Sequence, residues 1–336
     1  MKKHYKNILL IILFIFSLII MDNLLGMGLK SLPQKDSRDP ATLVWDDLYD
    51  IERNSIDVMF LGSSHARFAF NTNYFDKELK LNTFNLSSSD QTPVVGYYAF
   101  KQAIEKQNPK LLVYEAYWSK FCSTDNTTAA TFVYDYLESP KIKAELLLTL
   151  NREKNYKEFV LDSLVKTYKY RNRLFTSLDY IMRGGLNEKP VFNDNNNVFS
   201  DYIYMGKGYL YSDQLVTKKI IENSTFTRTK DYKFDNKQIE YFDKTMELCK
   251  EKGIKVIVVT APLPADTIKY VKDYDEYSKK INSMAKKHGL EYIDYNLINK
   301  DGKVFDNMCF RDSNHVNANG AIRLAEKMLS TLKKYT

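Results

Sequence analysis

"VMFLGSSHARFAF", residues 58–70, opens as an apolar strand, breaks at Gly62, and then delivers two serines and a histidine. So short and uniformly apolar a run suits a strand covered on both faces. A serine in the turn that ends it sits at the carboxyl edge of the sheet, where serine nucleophiles of several unrelated enzyme classes are found. Such a hydroxyl needs a base. The adjacent His65 is poorly placed to serve, because neighbouring side chains diverge from a turn, so the base is expected from elsewhere.

Outward from this stretch the chain alternates strands and helices. Residues 73–79 read as a helix, "LNTFNLS" (81–87) as a second strand, and "PVVGYYAFKQAIEKQ" (93–107) as an amphipathic helix. Pro93 starts that helix, and Val95, Ala99, Ala103 and Ile104 share one side. "PKLLVYEA" (109–116) is a third strand. The rhythm resumes with a helix at 236–252 closed by Gly253, the strand "IKVIVVTAP" (254–262), and a helix at 273–288 closed by Gly289. The strand "LEYIDY" (290–295) and a lysine-ended helix from Ala318 complete it. This pattern predicts an α/β fold with a parallel sheet in a three-layer arrangement, its ligands bound beyond the carboxyl ends of the strands.

Between Tyr117 and Phe234 the alternation fails. A helix is expected at 156–170, with Val160, Leu164 and Tyr168 on one face, followed by a loop-like stretch from Arg183 to Tyr209. An insertion of this length exceeds a plain loop and reads as a helical cap over the strand ends, where it could select substrate.

At the N-terminus, residues Tyr5–Leu25 cover roughly 31 Å at about 1.5 Å per residue, enough to cross a bilayer. Lys2, Lys3 and Lys6 precede the uncharged stretch that begins at Ile8, which predicts a cytoplasmic N-terminus and an extracytoplasmic body. "MDNLLGMG" (21–28) offers no signal-peptidase motif, so the helix is expected to stay as an anchor. The resulting division is residues 1–28 as cytoplasmic tip and transmembrane anchor, 29–54 as linker or stalk, and 55–336 as the extracytoplasmic domain, with the insertion at about 117–234.

Composition removes several classes. The chain has 336 residues, 44% of them hydrophobic, enough for a full core. Its net charge of +7 falls to about +4 without the three N-terminal lysines, a surplus that suits an anionic polymer. It has no basic stripe, GxGxxG or P-loop, and nucleic acid is not an expected partner. Cys122, Cys249 and Cys309 are the three cysteines and lack metal-ligand spacing, so neither a metal nor another cofactor is expected.

With four histidines in the chain, candidates for a base are few. "FRDSNHVNANGA" (310–321) places Asp312 three residues before His315, just ahead of the last helix. That spacing allows the carboxylate to accept the Nδ1 proton and leaves Nε2 free for a serine hydroxyl.

G-x-S ending the first strand and D-x-x-H before the last helix together resemble the SGNH or GDSL hydrolase superfamily. The resemblance covers the core strands and helices and skips the insertion. It implies a flavodoxin-like sheet with Ser64 as nucleophile and Asp312 and His315 completing the triad. Two departures stand beside it. Ser87 of "FNLSSSDQTP" occupies the place of the second-block glycine, whose amide joins that of the nucleophile in the oxyanion hole. "VYEAYWSKF" (113–121) lacks the third-block asparagine.

With the N-terminal helix and "PKLLVYE", the pattern looks like the membrane-anchored branch that includes DltD of D-alanyl-lipoteichoic acid biosynthesis and the alginate and peptidoglycan O-acetylation proteins. That likeness implies acyl transfer or ester hydrolysis on an envelope polysaccharide or teichoic-acid-like polymer, alongside a multipass membrane O-acyltransferase. A non-catalytic scaffold partner of such an acyltransferase is the alternative. His65, Glu115 and Arg67 are further candidates to line the site, and Arg67 and Arg311 to attract an anionic polymer. Cys309 reads as a small buried residue.

Overall fold

The computed structural model describes residues 2–32, 40–184, 199, 201–224 and 233–335. The chain divides into two compact units: Met1–Arg38 with Lys154–Asn196, and Asp39–Glu153 with Asn197–Thr336.

The larger unit is built on strands β1 (Val58–Leu61), β2 (Thr83–Asn85), β3 (Leu111–Glu115), β6 (Lys255–Thr260) and β7 (Glu291–Asp294), with β4 (Ile203–Tyr204) and β5 (Leu210–Tyr211) forming a small separate hairpin. The five main strands are parallel in the order β2-β1-β3-β6-β7. Every residue of β1, β2 and β3 is buried, as the apolar runs of β1 and β3 led one to expect, while Thr83 and Asn85 of β2 are buried with side-chain hydrogen bonds to backbone carbonyls. Each expected strand is present.

Helices cover both faces. Residues 93–103 pack against 236–252, and residues 72–79 pack against 318–332. Phe60 of β1 stacks on Phe70 and Phe75, with centroids 4.5 and 5.2 Å away, and so ties the sheet to the second layer. The helix ends follow local chemistry. Thr92 caps Val95 ahead of Pro93, Asp235 caps Lys237, and Gly253 closes its helix at φ +69°. After β1 the chain moves one way to β2 and then crosses back to β3 on the other side. The strand order therefore reverses beside β1, where such sheets open a crevice at their carboxyl ends.

Two stretches differ from expectation. Residues 33–39 of the anticipated stalk lie outside the described residues, but Pro40–Asp50 is a helix with Ala41, Val44, Trp45 and Leu48 buried. Those four positions follow helical spacing, so this part of the stalk is core, and polar turn-formers nearby mask the pattern. Most of the loop-like stretch (185–198 and 200) also lies outside the described residues, and the β4–β5 hairpin forms at its end.

The smaller unit contains the N-terminal helix Lys2–Lys30. From His4 to Lys30 it is long and apolar enough to cross a membrane. Against it lie the helices Lys166–Lys169 and Arg173–Met182, and Tyr156–Leu164 packs on the first of these. The single helix expected over 156–170 breaks at Val165, whose backbone is extended (φ −112°, ψ 100°). The following turn starts afresh because the Asp22 carboxylate accepts the amides of Lys166 (2.8 Å) and Thr167 (3.0 Å), capping it from the neighbouring helix.

Candidate active site

The strand must stop at Gly62 because of what packs against it. A Cβ there would stand 2.7 Å from Glu115 Cβ and 3.0 Å from Ala66 Cβ, so no larger residue fits between β3 and the turn. Ser63 then caps the helix Ser64–Ala69 by accepting the amide of His65 at 3.4 Å. Among residues 61–70, Ser64 alone is partly exposed. The turn therefore presents one hydroxyl and buries its neighbours.

The opposite side is a narrow loop. Arg311 N–H donates to the carbonyl of His315 (3.0 Å), Asn317 N–H donates to that of Cys309 (2.9 Å), and Phe310 bridges Val316. Within it, Asp312 Oδ1 accepts the amides of Asn314 (2.9 Å) and His315 (2.8 Å), which fixes the carboxylate before the imidazole reaches it. His315 Nδ1 lies 3.0 Å from both Asp312 oxygens, and Nε2 lies 2.9 Å from Ser64 Oγ. With the Nδ1 proton held by the carboxylate, Nε2 presents its lone pair to the serine hydroxyl. Burial alone would raise Asp312. The His315 hydrogen bond, the Asn314 amide and the Arg311 charge outweigh it and hold the carboxyl below its ordinary range.

Ser64, Asp312 and His315 are thus brought together, while the other candidates are arranged differently. His65 is buried, its ring stacked on Tyr117 with centroids 3.6 Å apart and tilted toward His315 at 4.8 Å. Asn314 Nδ2 donates to His65 Nε2 at 3.4 Å. Burial and the nearby His315 push the His65 pKa well down, so this imidazole is neutral. It packs behind the site.

Glu115, the last residue of β3, is buried directly under the serine turn, and burial lifts its carboxyl to about 8. The amides of Ala261, Ser63 and Tyr117 turn toward it and offset part of that rise. Ser87 is buried, and its amide donates to Asn85 Oδ1 at 3.3 Å. That long bond would have to be shared or released for the amide to face an oxyanion.

Neither arginine is an exposed cation. Arg67 is 1% exposed, with Nη1 donating to Ser89 Oγ at 3.3 Å. Arg311 is buried, paired with Asp201 and with Asp312 (3.4 Å), and its guanidinium lies 4.4 Å from the Phe68 ring. Cys309 is buried and free, and burial raises its thiol to about 11, so it stays protonated. Among the described residues, no group of three His, Cys, Asp or Glu side chains could hold a metal ion.

Sequence reasoning missed the apolar walls. The Phe68 ring lies 5.3 Å from that of His315, and Tyr202 meets Phe68 edge-on at 5.9 Å. Tyr202 and Asp201 belong to the insertion, so part of that segment reaches the site. The insertion is expected over the strand ends, but nothing in its local pattern singles out these two residues, because the contact depends on a fold-back over more than a hundred residues.

A comparison with curated proteins finds no match. Among solved structures the chain is similar to a "putative acylhydrolase" from Bacteroides fragilis NCTC 9343. The two are 13% identical, the match covers 88% of this chain and 99% of that one, and the TM-score is 0.40, too low to bear on activity. A family model described as "Protein of unknown function (DUF1574)" matches residues 9–332, nearly the whole length, and the chain belongs to that family.

Proposed function

We propose that this protein is a membrane-anchored, SGNH-like serine acyltransferase or esterase that acts on a cell-envelope polymer through an acyl-enzyme. The observation that carries the reading is the relay from Asp312 through His315 to Ser64, with Nε2 2.9 Å from the one presented hydroxyl.

In this mechanism His315 Nε2 takes the Ser64 proton as Oγ bonds to the carbonyl carbon of an ester or thioester. The Asp312 carboxylate balances the imidazolium. The amide of Ser64, joined by that of Ser87 once it lets go of Asn85 Oδ1, stabilises the developing oxyanion. Collapse breaks the bond to the leaving alcohol or thiol, which departs with the proton from His315. An acceptor hydroxyl then gives its proton to His315 and attacks the acyl-serine carbonyl carbon, and collapse breaks the bond to Ser64 Oγ, which recovers a proton from His315. A sugar or polyol acceptor makes the protein a transferase, and water makes it an esterase. No step calls on a metal or cofactor.

The N-terminal helix would hold the site at the outer face of the membrane, next to a multipass O-acyltransferase and the polysaccharide or teichoic-acid-like polymer it modifies. The envelope substrate and this partner are supported by the resemblance to the DltD-like branch.

The test is covalent labelling of the full chain with a fluorophosphonate probe, with the adduct located by mass spectrometry. Modification of Ser64 that is lost in His315→Ala is the expected result. A folded protein that never reacts at Ser64 would refute the enzyme and favour a non-catalytic scaffold.

A further inference from the structure

The helix Arg173–Met182 exposes a continuous apolar stripe. Leu174, Phe175, Leu178, Ile181 and Met182 recur at one-face helical spacing, and Phe175 and Met182 are 72% and 78% exposed. The opposite face carries Thr176, Asp179 and Arg183, with an Asp179–Arg183 ion pair at 2.9 Å. Leu161 and Leu164 of the helix Tyr156–Leu164 are exposed as well. A soluble unit would bury such a stripe in its core, whereas here the polar face is paired and the apolar face open.

Two observations identify what covers it. The first is continuity. Arg173 Nη1 donates to the carbonyl of Lys30 (3.1 Å), at the carboxyl end of the apolar helix, and the preceding turn is capped by Asp22 of that same helix. The second is charge. Residues 154–184 contain seven lysines and arginines against three acidic residues. The connection into the stripe holds Lys166, Lys169, Arg171 and Arg173, with Arg171 3.8 Å from the Tyr168 ring and Arg173 5.0 Å from that of Tyr170. Basic residues interleaved with tyrosines beside an open apolar face are the chemistry of an anionic membrane–water interface.

We propose that the helix Arg173–Met182 lies in the outer interface of the bilayer, its apolar stripe among the upper acyl chains and its basic approach on anionic headgroups. The insertion thereby forms a second membrane attachment. This rests on the reading that the N-terminal helix spans the membrane.

The test reconstitutes the full chain in vesicles of equal parts phosphatidylglycerol and phosphatidylcholine. The lipid chains carry bromine either near the headgroup or near the bilayer centre. Phe175→Trp reports the stripe, Phe14→Trp reports the N-terminal helix, and the wild type supplies the background of its buried Trp45 and Trp118. The expected result is about a twofold loss of the indole emission added by Phe175→Trp, greater with shallow than with deep bromine, and weaker in pure phosphatidylcholine. The emission added by Phe14→Trp should be quenched most by deep bromine. Quenching in the Phe14→Trp variant with none in Phe175→Trp overturns this proposal and leaves the span standing, with a second copy or another protein covering the stripe. Absence of quenching in both variants refutes the span itself, and the interfacial helix with it.

Discussion

Glu115→Gln should stabilise the protein, and by an amount that grows with pH. The carboxyl is fully buried under the serine turn, and its pKa rises from 4.5 to about 8. At intermediate pH the folded chain keeps this proton and the unfolded chain has released it, so unfolding releases a proton. Stability therefore falls as pH climbs through 4.5 toward about 8, and levels off above. At about 1.4 kcal/mol per pH unit the ceiling is about 5 kcal/mol, which relaxation around the buried group reduces to a few kcal/mol. Glutamine keeps the shape and cannot ionise. Urea unfolding of wild type and variant between about pH 4.5 and pH 9 should give curves that agree at the acid end and separate by a few kcal/mol at the basic end. The shared titration of all other groups cancels in the difference. A difference independent of pH would show that Glu115 titrates alike in the folded and unfolded chains, and a wild type that gains on the variant as pH rises would show an ionised, paired carboxylate; either result would refute the reasoning.

Further predictions concern the same region and the smaller unit. Asp312→Asn should leave the fold intact and slow fluorophosphonate labelling of Ser64 by about a thousand- to ten-thousandfold, because the amide cannot hold the Nδ1 proton toward itself. Equal labelling rates would remove Asp312 from the relay. Gly62→Ala should cost about 1–3 kcal/mol, since its Cβ meets the backbone-anchored Glu115 Cβ at 2.7 Å, and thermal melting measures the loss. His65→Phe should flatten the acid limb of the stability curve. The folded-state pKa of His65 is depressed, so wild type loses stability as pH falls below about 6.5, where the unfolded imidazole takes up a proton. Denaturant midpoints between neutral and acid pH check that slope. Asp22→Ala should cost the turn at Lys166 about 1 kcal/mol, read as faster hydrogen exchange at the amides of Lys166 and Thr167.

Local chemistry alone was enough to establish much of this protein. The apolar runs at β1, β3 and β6 are strands because a sheet covered on both faces wants such residues at every position. Gly62, Ser64 and the Asp312–His315 spacing marked out candidate site residues within short windows. Where the signal was spread out or shared with polar neighbours it failed, as at Pro40–Asp50, whose helical core face sits among turn-formers. The break at Val165 was equally hidden, because the cap comes from Asp22, 144 residues away.

Only the tertiary structure decided what those residues meet. Ser64 and His315 are 251 positions apart, and no periodicity carries information over that distance. The return of the chain across β1 brings them together, by placing the first and last connections at one end of the sheet. The same fold-back turned Arg311 from a surface cation into the partner of Asp201 and Asp312. Glu115 became a buried acid beneath the Ser64 turn for the same reason, since burial and pairing belong to the neighbours a residue acquires rather than to the residue itself.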